Sequence, residues 1–248
     1  MSGIFNTFLT DPLFNALVFL FERVTFGDLG LAIILLTVFI RLVLYPVFYK
    51  GLKNQALMQK MQPELKEVQK KHKGNREEQA TAMMALYKKY EVNPFSPFLY
   101  LLIQLPILFA VYRVFLQGFS EEAFTRLYSF MPQPEQLSTL FLGLIDVTKT
   151  SIIIVVLAVL AQYLQTRISL RPRLDKDGEK SGKPKDASAR MSQSMMYIVP
   201  AITLIFLLNL PSAIGLYWLT TAVFSIFQQR AINKRLYGQE TSPITNNH

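Results

Sequence analysis

Apolar residues run along this chain in long blocks, and the polar residues are gathered between them in lysine- and arginine-rich stretches. A helix needs about twenty apolar residues to cross roughly 30 Å of hydrocarbon, so the blocks predict membrane-crossing helices. Five are read in this way, at residues 29–49, 95–118, 150–169, 195–210 and 212–229, with Leu210-Pro211 as a tight turn between the last two. The fourth is short by the same standard. The predicted fold class is an all-α polytopic membrane protein.

The segments between the blocks are not uniform. Residues 1–28 form an external N-terminal segment in which Asp11-Pro12 reads as an N-cap followed by proline at the first helical position. Leu13, Leu17, Leu20 and Phe21 then recur at helical spacing. This predicts a short amphipathic helix in the outer interface, or a lead-in packed on the bundle. Residues 50–94 predict a cytoplasmic helical hairpin. Leu52, Ala56, Leu57, Met61, Leu65 and Val68 keep near-helical spacing, with Pro63 interrupting it. Gly74-Asn75 signals a turn, Asn75 and Glu78 resemble a capping box, and Met83, Leu86, Tyr87 and Tyr90 mark the second arm. Such a basic hairpin either meets anionic lipid head groups or simply stands in solvent and fixes topology. Residues 119–149 form an external loop. Residues 170–194 are rich in Lys, Gly, Asp and Pro without an apolar period, which predicts disorder. Residues 230–248 form a polar cytoplasmic tail.

Composition narrows the class. Of 248 residues, 51% are apolar, and 26 Lys and Arg outnumber 17 Asp and Glu to give a net charge of +9. The mean hydropathy is +0.26. Charges confined to blocks between apolar runs exclude a soluble enzyme, a disordered chain and a fibrous repeat. The absence of cysteine excludes disulfides, thiolate metal sites and a lipid-bearing cysteine near the N-terminus, and two histidines are too few for a His-rich metal centre. No metal site and no cofactor is expected. Nothing resembles a cleaved secretory signal.

Charge also orients the chain. One basic residue, Arg23, precedes the first span, whereas ten lie between Lys50 and Lys89. Only Arg126 and Lys149 occupy the next loop, eight lie between Arg167 and Arg190, and the tail has Arg230, Lys234 and Arg235. By the positive-inside rule the N-terminus lies outside and the C-terminus in the cytoplasm.

One charge falls inside a predicted span. Arg41, in ILLTVFIRLVLYP, lies about 18 Å along the helix from Leu29 at ~1.5 Å per residue. Placing it mid-bilayer costs from about 2.5 kcal/mol on insertion scales to about 17 kcal/mol in simulations. No Asp or Glu falls inside a predicted span to pair with it. Two readings stand. The side chain snorkels to the cytoplasmic interface near Pro46 and Lys50, or it faces a water-filled cavity between helices. Uncharged polar residues at similar depth favour the second. Thr37 lies one turn away on the same face, Gln104 is in the second span, Gln162 and Gln165 are in the third, and Trp218 and Thr221 are in the fifth. Each Gln taken singly would suit an interhelical hydrogen bond. Arg113, near the outer end of the second span, is read as reaching head groups.

At these residues the chain resembles a known family. LLTVFIRLVLYP, the long Lys-rich hairpin, NPFSPFLYLLIQLPILFAVYRVF and PSAIGLYWLTTAVFSIFQQ together resemble the YidC-type membrane protein insertases, from about Leu29 to Arg235. The resemblance implies five transmembrane helices around a hydrophilic groove, open to the cytoplasm and to lipid, in a bacterial plasma (inner) membrane. It implies that Arg41 is the groove's positive charge, with Thr37, Gln165 and Trp218 lining the groove. Leu105 and Leu108 would contact the hydrophobic segment of the client. Gln104 and Gln162 join the groove set from their depth alone. The implied partners are nascent or newly made membrane proteins, with the Sec translocon, the ribosome and anionic lipids as further candidates, and no specific nucleic acid. The chain departs from the family pattern in lacking a further N-terminal span with a large periplasmic domain. It also lacks a lipoprotein Cys and a long basic tail, so ribosome docking through such a tail is not expected.

The function expected is that of an insertase and chaperone, not an enzyme: no catalytic residue is assigned and no nucleotide motif is present. A wet groove would shorten the apolar path for the polar end of a client, and Arg41 would attract acidic residues in that end. A small-solute transporter or channel is the alternative, although it would want intramembrane acids or paired broken helices. An assembly factor that holds subunits without inserting them is a third reading.

Overall fold

A computed structural model describes residues 2–117, 121–131, 134, 138–169 and 187–237. The chain is helical almost throughout. Helix α1, Gly3–Arg23, is followed by α2 (Leu29–Val43), α3 (Tyr45–Lys60), α4 (Gln62–Lys71), α5 (Arg76–Lys89) and α6 (Ser96–Gln117). After the single turn Glu121–Phe124 come strands β1 (Leu140–Phe141) and β2 (Ile145–Asp146), then α7 (Ile152–Ser169), α8 (Ala187–Leu207) and α9 (Ser212–Tyr237). Taken singly, α1 and α7 are long and apolar enough to cross a membrane; α2 and α3 meet that standard jointly, and α6 and α8 contain shorter apolar runs, Leu102–Phe115 and Met196–Leu207.

Several boundaries differ from the sequence reading. Asp11 does not cap a helix: α1 runs through it, with a π turn at Asn6–Thr10 immediately before. Pro12 lacks an N–H and its ring crowds the carbonyl four residues back, and a widened turn relieves both. Helix α1 packs on the bundle, as the second of its two expected placements has it. Phe14, Leu17, Val18 and Phe21 are buried in the main core with Ile33, Leu36, Val111 and Val114. The predicted first span is not one helix, because α2 ends at Val43 and α3 leaves at 73°. Pro46 is the cause. It cannot donate to the Leu42 carbonyl, whereas in the first turn of a new helix its missing donor is harmless. Residues 187–194, expected to be disordered, belong to α8, while 170–186 and the tail beyond 237 lie outside the described residues. A two-stranded antiparallel sheet, with Leu140 opposite Asp146, adds a feature that an all-α reading omits.

Two ends of the bundle are tied differently. At one, the Asp28 carboxylate caps α2 by accepting from Leu31 N (2.8 Å) and also accepts from Leu142 N (2.6 Å). Nearby, the Lys149 carbonyl accepts from both Ser212 N and Ser212 Oγ, which fixes the start of α9 beside the start of α7. Gly215 lets α9 approach α7 closely, since a Cβ there would lie 2.7 Å from Ile154 Cγ2. At the other end, α4 and α5 form the expected hairpin around Met61, Leu86 and Val92. Glu64 accepts from Lys89 Nζ (2.8 Å) and from the Tyr90 hydroxyl, and it raises the Lys89 pKa through that hydrogen bond and its charge. The hairpin root is clasped by Asn54, whose side-chain amide donates to Asn93 O (3.0 Å) and accepts from Asn93 N (3.1 Å).

Candidate functional site

Helix α2 presents two faces. Leu31, Leu35, Phe39 and Leu42 are exposed, while Ile33, Leu36, Thr37, Ile40 and Arg41 are buried. That division follows from the three- and four-residue steps of the helix. Arg41 therefore points inward with the apolar face, and only 2% of it is exposed.

Its surroundings explain how the charge is held. The guanidinium carbon lies 4.1 Å from the centroid of the Phe48 ring, which α3 brings under α2 through the bend at Leu44. A desolvated cation over an aromatic face gains about 2 kcal/mol, less than even the low estimates for a charge at mid-membrane, about 2.5–3.5 kcal/mol. Nη1 is fully enclosed and has no hydrogen-bond partner among the described residues. The site thus holds a positive charge with unused donor capacity. Of the two sequence readings, snorkelling to the surface does not describe this arrangement, because the side chain is enclosed among the helices.

The other predicted residues fall into pairs. Thr37, also 2% exposed, donates from Oγ1 to the Ile33 carbonyl at 2.7 Å, so its hydroxyl proton is spent on its own helix. Gln104 Nε2 donates to the Tyr217 hydroxyl at 2.7 Å and joins α6 to α9, leaving Gln104 Oε1 buried without a partner among the described residues. Trp218 Nε1 donates to Gln162 Oε1 at 3.0 Å and joins α9 to α7, with the indole tilted against Phe206 of α8. Both Gln104 and Gln162 thus make the interhelical hydrogen bond that a lone polar residue in a span suggests. Gln165 is half-buried on α7, three residues beyond Gln162. Leu105 and Leu108 are half-buried on α6, and Leu108 packs against the main core. Arg113 lies apart; its Nη1 donates to Asn6 Oδ1 at 2.9 Å and its guanidinium stacks over Phe5, so it holds α1 rather than reaching past it.

Four polar residues belong with this set and were not singled out from the sequence. On α9, Ser225, Gln228 and Gln229 are at most 4% exposed, and Tyr217 is the partner of Gln104. Ser225 Oγ, both polar atoms of Gln228, and Gln229 Oε1 are buried without partners among the described residues, as is Thr221 Oγ1 one turn earlier. Gln229 Nε2 bonds Asn233 Oδ1, and Asn233 Nδ2 reaches the Ile168 carbonyl of α7. The signal was present, since Thr221, Ser225 and Gln229 recur every four residues. At the end of a span, however, glutamine followed by arginine reads as ordinary interfacial polarity. The arrangement can bind acceptors and donors of an entering chain. Among the described residues no cluster suits a metal ion.

The family model described as 60Kd inner membrane protein matches residues 19–240. The chain is 32% identical over 232 residues to the membrane protein insertase YidC of Wolinella succinogenes, covering 94% of this chain and 38% of that one. It is 29% identical over 240 residues to the YidC of Helicobacter pylori, with coverages of 97% and 39%. It is 32% identical over 232 residues to that of Geobacter metallireducens, with coverages of 94% and 38%. The chain spans less than two-fifths of the length of these relatives.

Proposed function

The chain belongs to the YidC-type family of membrane protein insertases, and from that membership we propose that it inserts and chaperones client membrane proteins. It takes short polar ends of clients into a positively charged hydrated groove and releases their hydrophobic segments sideways into lipid. Five spans, the N-terminus outside and the C-terminus in the cytoplasm of a bacterial inner membrane complete this reading.

The observation that carries it is the enclosed guanidinium of Arg41, with an unused donor in a span region that supplies no carboxylate. A charge kept there at such cost suits a ligand that brings the missing acid. An acidic client end satisfies Nη1, and Gln104 Oε1, Thr221, Ser225 and Gln228 supply further unused polar atoms. Such groups cost several kcal/mol each, of order 2–7, when buried without partners, so an entering polar chain or water relieves them. Loading begins when the helices around Arg41 part and water enters; in this structure they are closed. Thr37, Gln162, Gln165 and Trp218 line the path, and Leu105 and Leu108 contact the apolar part of the client. Insertion makes and breaks no covalent bond; transfer of apolar side chains into lipid drives it, at about 0.8 kcal/mol per buried CH₂. Nascent membrane proteins are the partners, with the Sec translocon, ribosome and anionic lipids as further ones.

Liposomes containing only this protein and a single-span client with an acidic translocated end test the proposal. Protease protection of that end supports insertion. Client binding without protection would leave an assembly factor instead, and ion flux without any client would favour the small-solute transporter or channel.

A further inference from the structure

We propose that the β1–β2 turn is a membrane anchor that sits at the boundary between lipid head groups and acyl chains, at the end of the bundle opposite the α4–α5 hairpin. The turn carries Leu142 and Leu144, which are 59% and 84% exposed, and Phe26 is 89% exposed in the turn that leads into α2. Left-handed backbone, which favours glycine, is adopted by both Leu142 (φ +52°) and Phe26 (φ +51°). A turn placed in water would have polar residues or glycine at such positions. Here the strained positions hold large apolar side chains turned away from the protein.

The turn is fixed in place by α2. Asp28 uses one carboxylate oxygen for Leu31 N and the other for Leu142 N, so the turn and the first turn of α2 share one anchor point. Phe141 lies so close to α2 that a Cβ on Gly30 would come within 2.3 Å of its ring. From that point Leu31, Leu35 and Phe39 run down the exposed face of α2. In a membrane protein this stripe faces acyl chains, and the β1–β2 turn continues it past the end of the helix. The turn has no lysine or arginine, and the Asp146 carboxylate is engaged by Thr148 and Lys149. The fitting partner is therefore the apolar edge of the lipid interface without regard to head-group charge, reached to a depth of about 5–10 Å.

The anchor needs only that the helices sit in a bilayer. Its consequence rests on the insertion reading: with the turn held at the interface, α2 places Arg41 about 20 Å along the helix from Asp28 at ~1.5 Å per residue. The anchor would thus set the depth of the charge.

The cysteine-free chain allows a direct test. The full-length Leu144→Cys protein, labelled with an environment-sensitive fluorophore, is reconstituted into phosphatidylcholine liposomes with and without anionic lipid. Quenchers are placed at shallow or deep acyl positions, and Lys73→Cys in the α4–α5 hairpin is the aqueous control. The expected result is blue-shifted emission from the Leu144 probe, quenched about twofold more by the shallow than by the deep label, in both lipid mixtures. Adding Asp28→Ala should abolish that depth preference while the Lys73 probe stays unchanged. Aqueous emission without quenching from the Leu144 probe overturns the proposal. So does a blue shift that is lost when the protein is diluted in the liposomes, which would assign the turn to a second copy of the chain.

Discussion

Arg41 and Phe48 face each other across a 73° bend, the guanidinium carbon 4.1 Å from the ring centroid. The two residues are seven apart, so a straight helix would place them on one side about two turns distant. The break at Leu44 folds the second helix back and brings ring and charge into contact.

That contact has a measurable energy. Phe48→Leu keeps an apolar side chain and removes the ring face, and it should lower stability in detergent by about 1–2 kcal/mol. Arg41→Met in the same background should recover most of that loss. A double-mutant cycle by thermal unfolding checks it, with coupling of about 1 kcal/mol or more expected and simple additivity contradicting it.

The close approach of α7 and α9 gives a second test. Gly215→Ala drives a methyl to 2.7 Å from Ile154 Cγ2 and should destabilise the protein by about 1–3 kcal/mol. Ile154→Ala removes the obstructing atom, so the double variant should be more stable than the sum of the two single losses predicts. Denaturation of the three variants in one detergent measures this.

A third prediction concerns pH. Asp146 has its pKa lowered from 3.8 to about 2, chiefly by the Thr148 hydroxyl at 2.6 Å and then by the Thr148 backbone N–H at 3.0 Å. A folded pKa below the unfolded one gives a contribution that is present above about 3.8. It is lost as the pH falls through about 2. Thr148→Val should move the carboxyl titration, followed by NMR, back towards 3.8, and an unmoved midpoint would contradict the assignment.

Much of this architecture was legible in the sequence, and the exceptions have physical causes. Apolar blocks located the helices, and Gly74-Asn75 with Glu78 located the hairpin turn, where Asn75 Oδ1 does accept from Glu78 N at 3.2 Å. Pro46 signals a disturbance in the first span but not its angle, because the angle depends on how α3 packs against α6 and α9. The β1–β2 sheet escaped because two-residue strands have no period, and its position depends on Asp28, more than a hundred residues away. Polarity within the predicted spans drew attention to Gln104, Gln162 and Trp218, and the structure joins each of them to another helix. Their partners were not legible, since the Gln104–Tyr217 and Gln162–Trp218 bonds each join two helices. Asn15 shows the same limit: one side chain on α1 donates to the Arg126 carbonyl and accepts from Tyr128 N.

The buried stripe on α9 supplies a prediction of its own. Gln228→Leu removes two unpartnered polar atoms that are costly to bury, so stability should rise or stay level while insertion of clients with polar translocated ends falls. Parallel unfolding and insertion assays check it. A loss of stability as large as a core truncation, about 2–5 kcal/mol, would show that Gln228 serves packing instead.

The most direct test of the central claim is the insertion rate of one acidic-ended, single-span client into liposomes containing only wild-type, Arg41→Ala or Arg41→Lys protein. Arg41→Ala should lower the rate about tenfold, equivalent to ~1.4 kcal/mol of lost charge attraction, and Arg41→Lys should largely preserve it. Equal rates for wild type and Arg41→Ala, with this client and with others carrying acidic ends, would contradict the account.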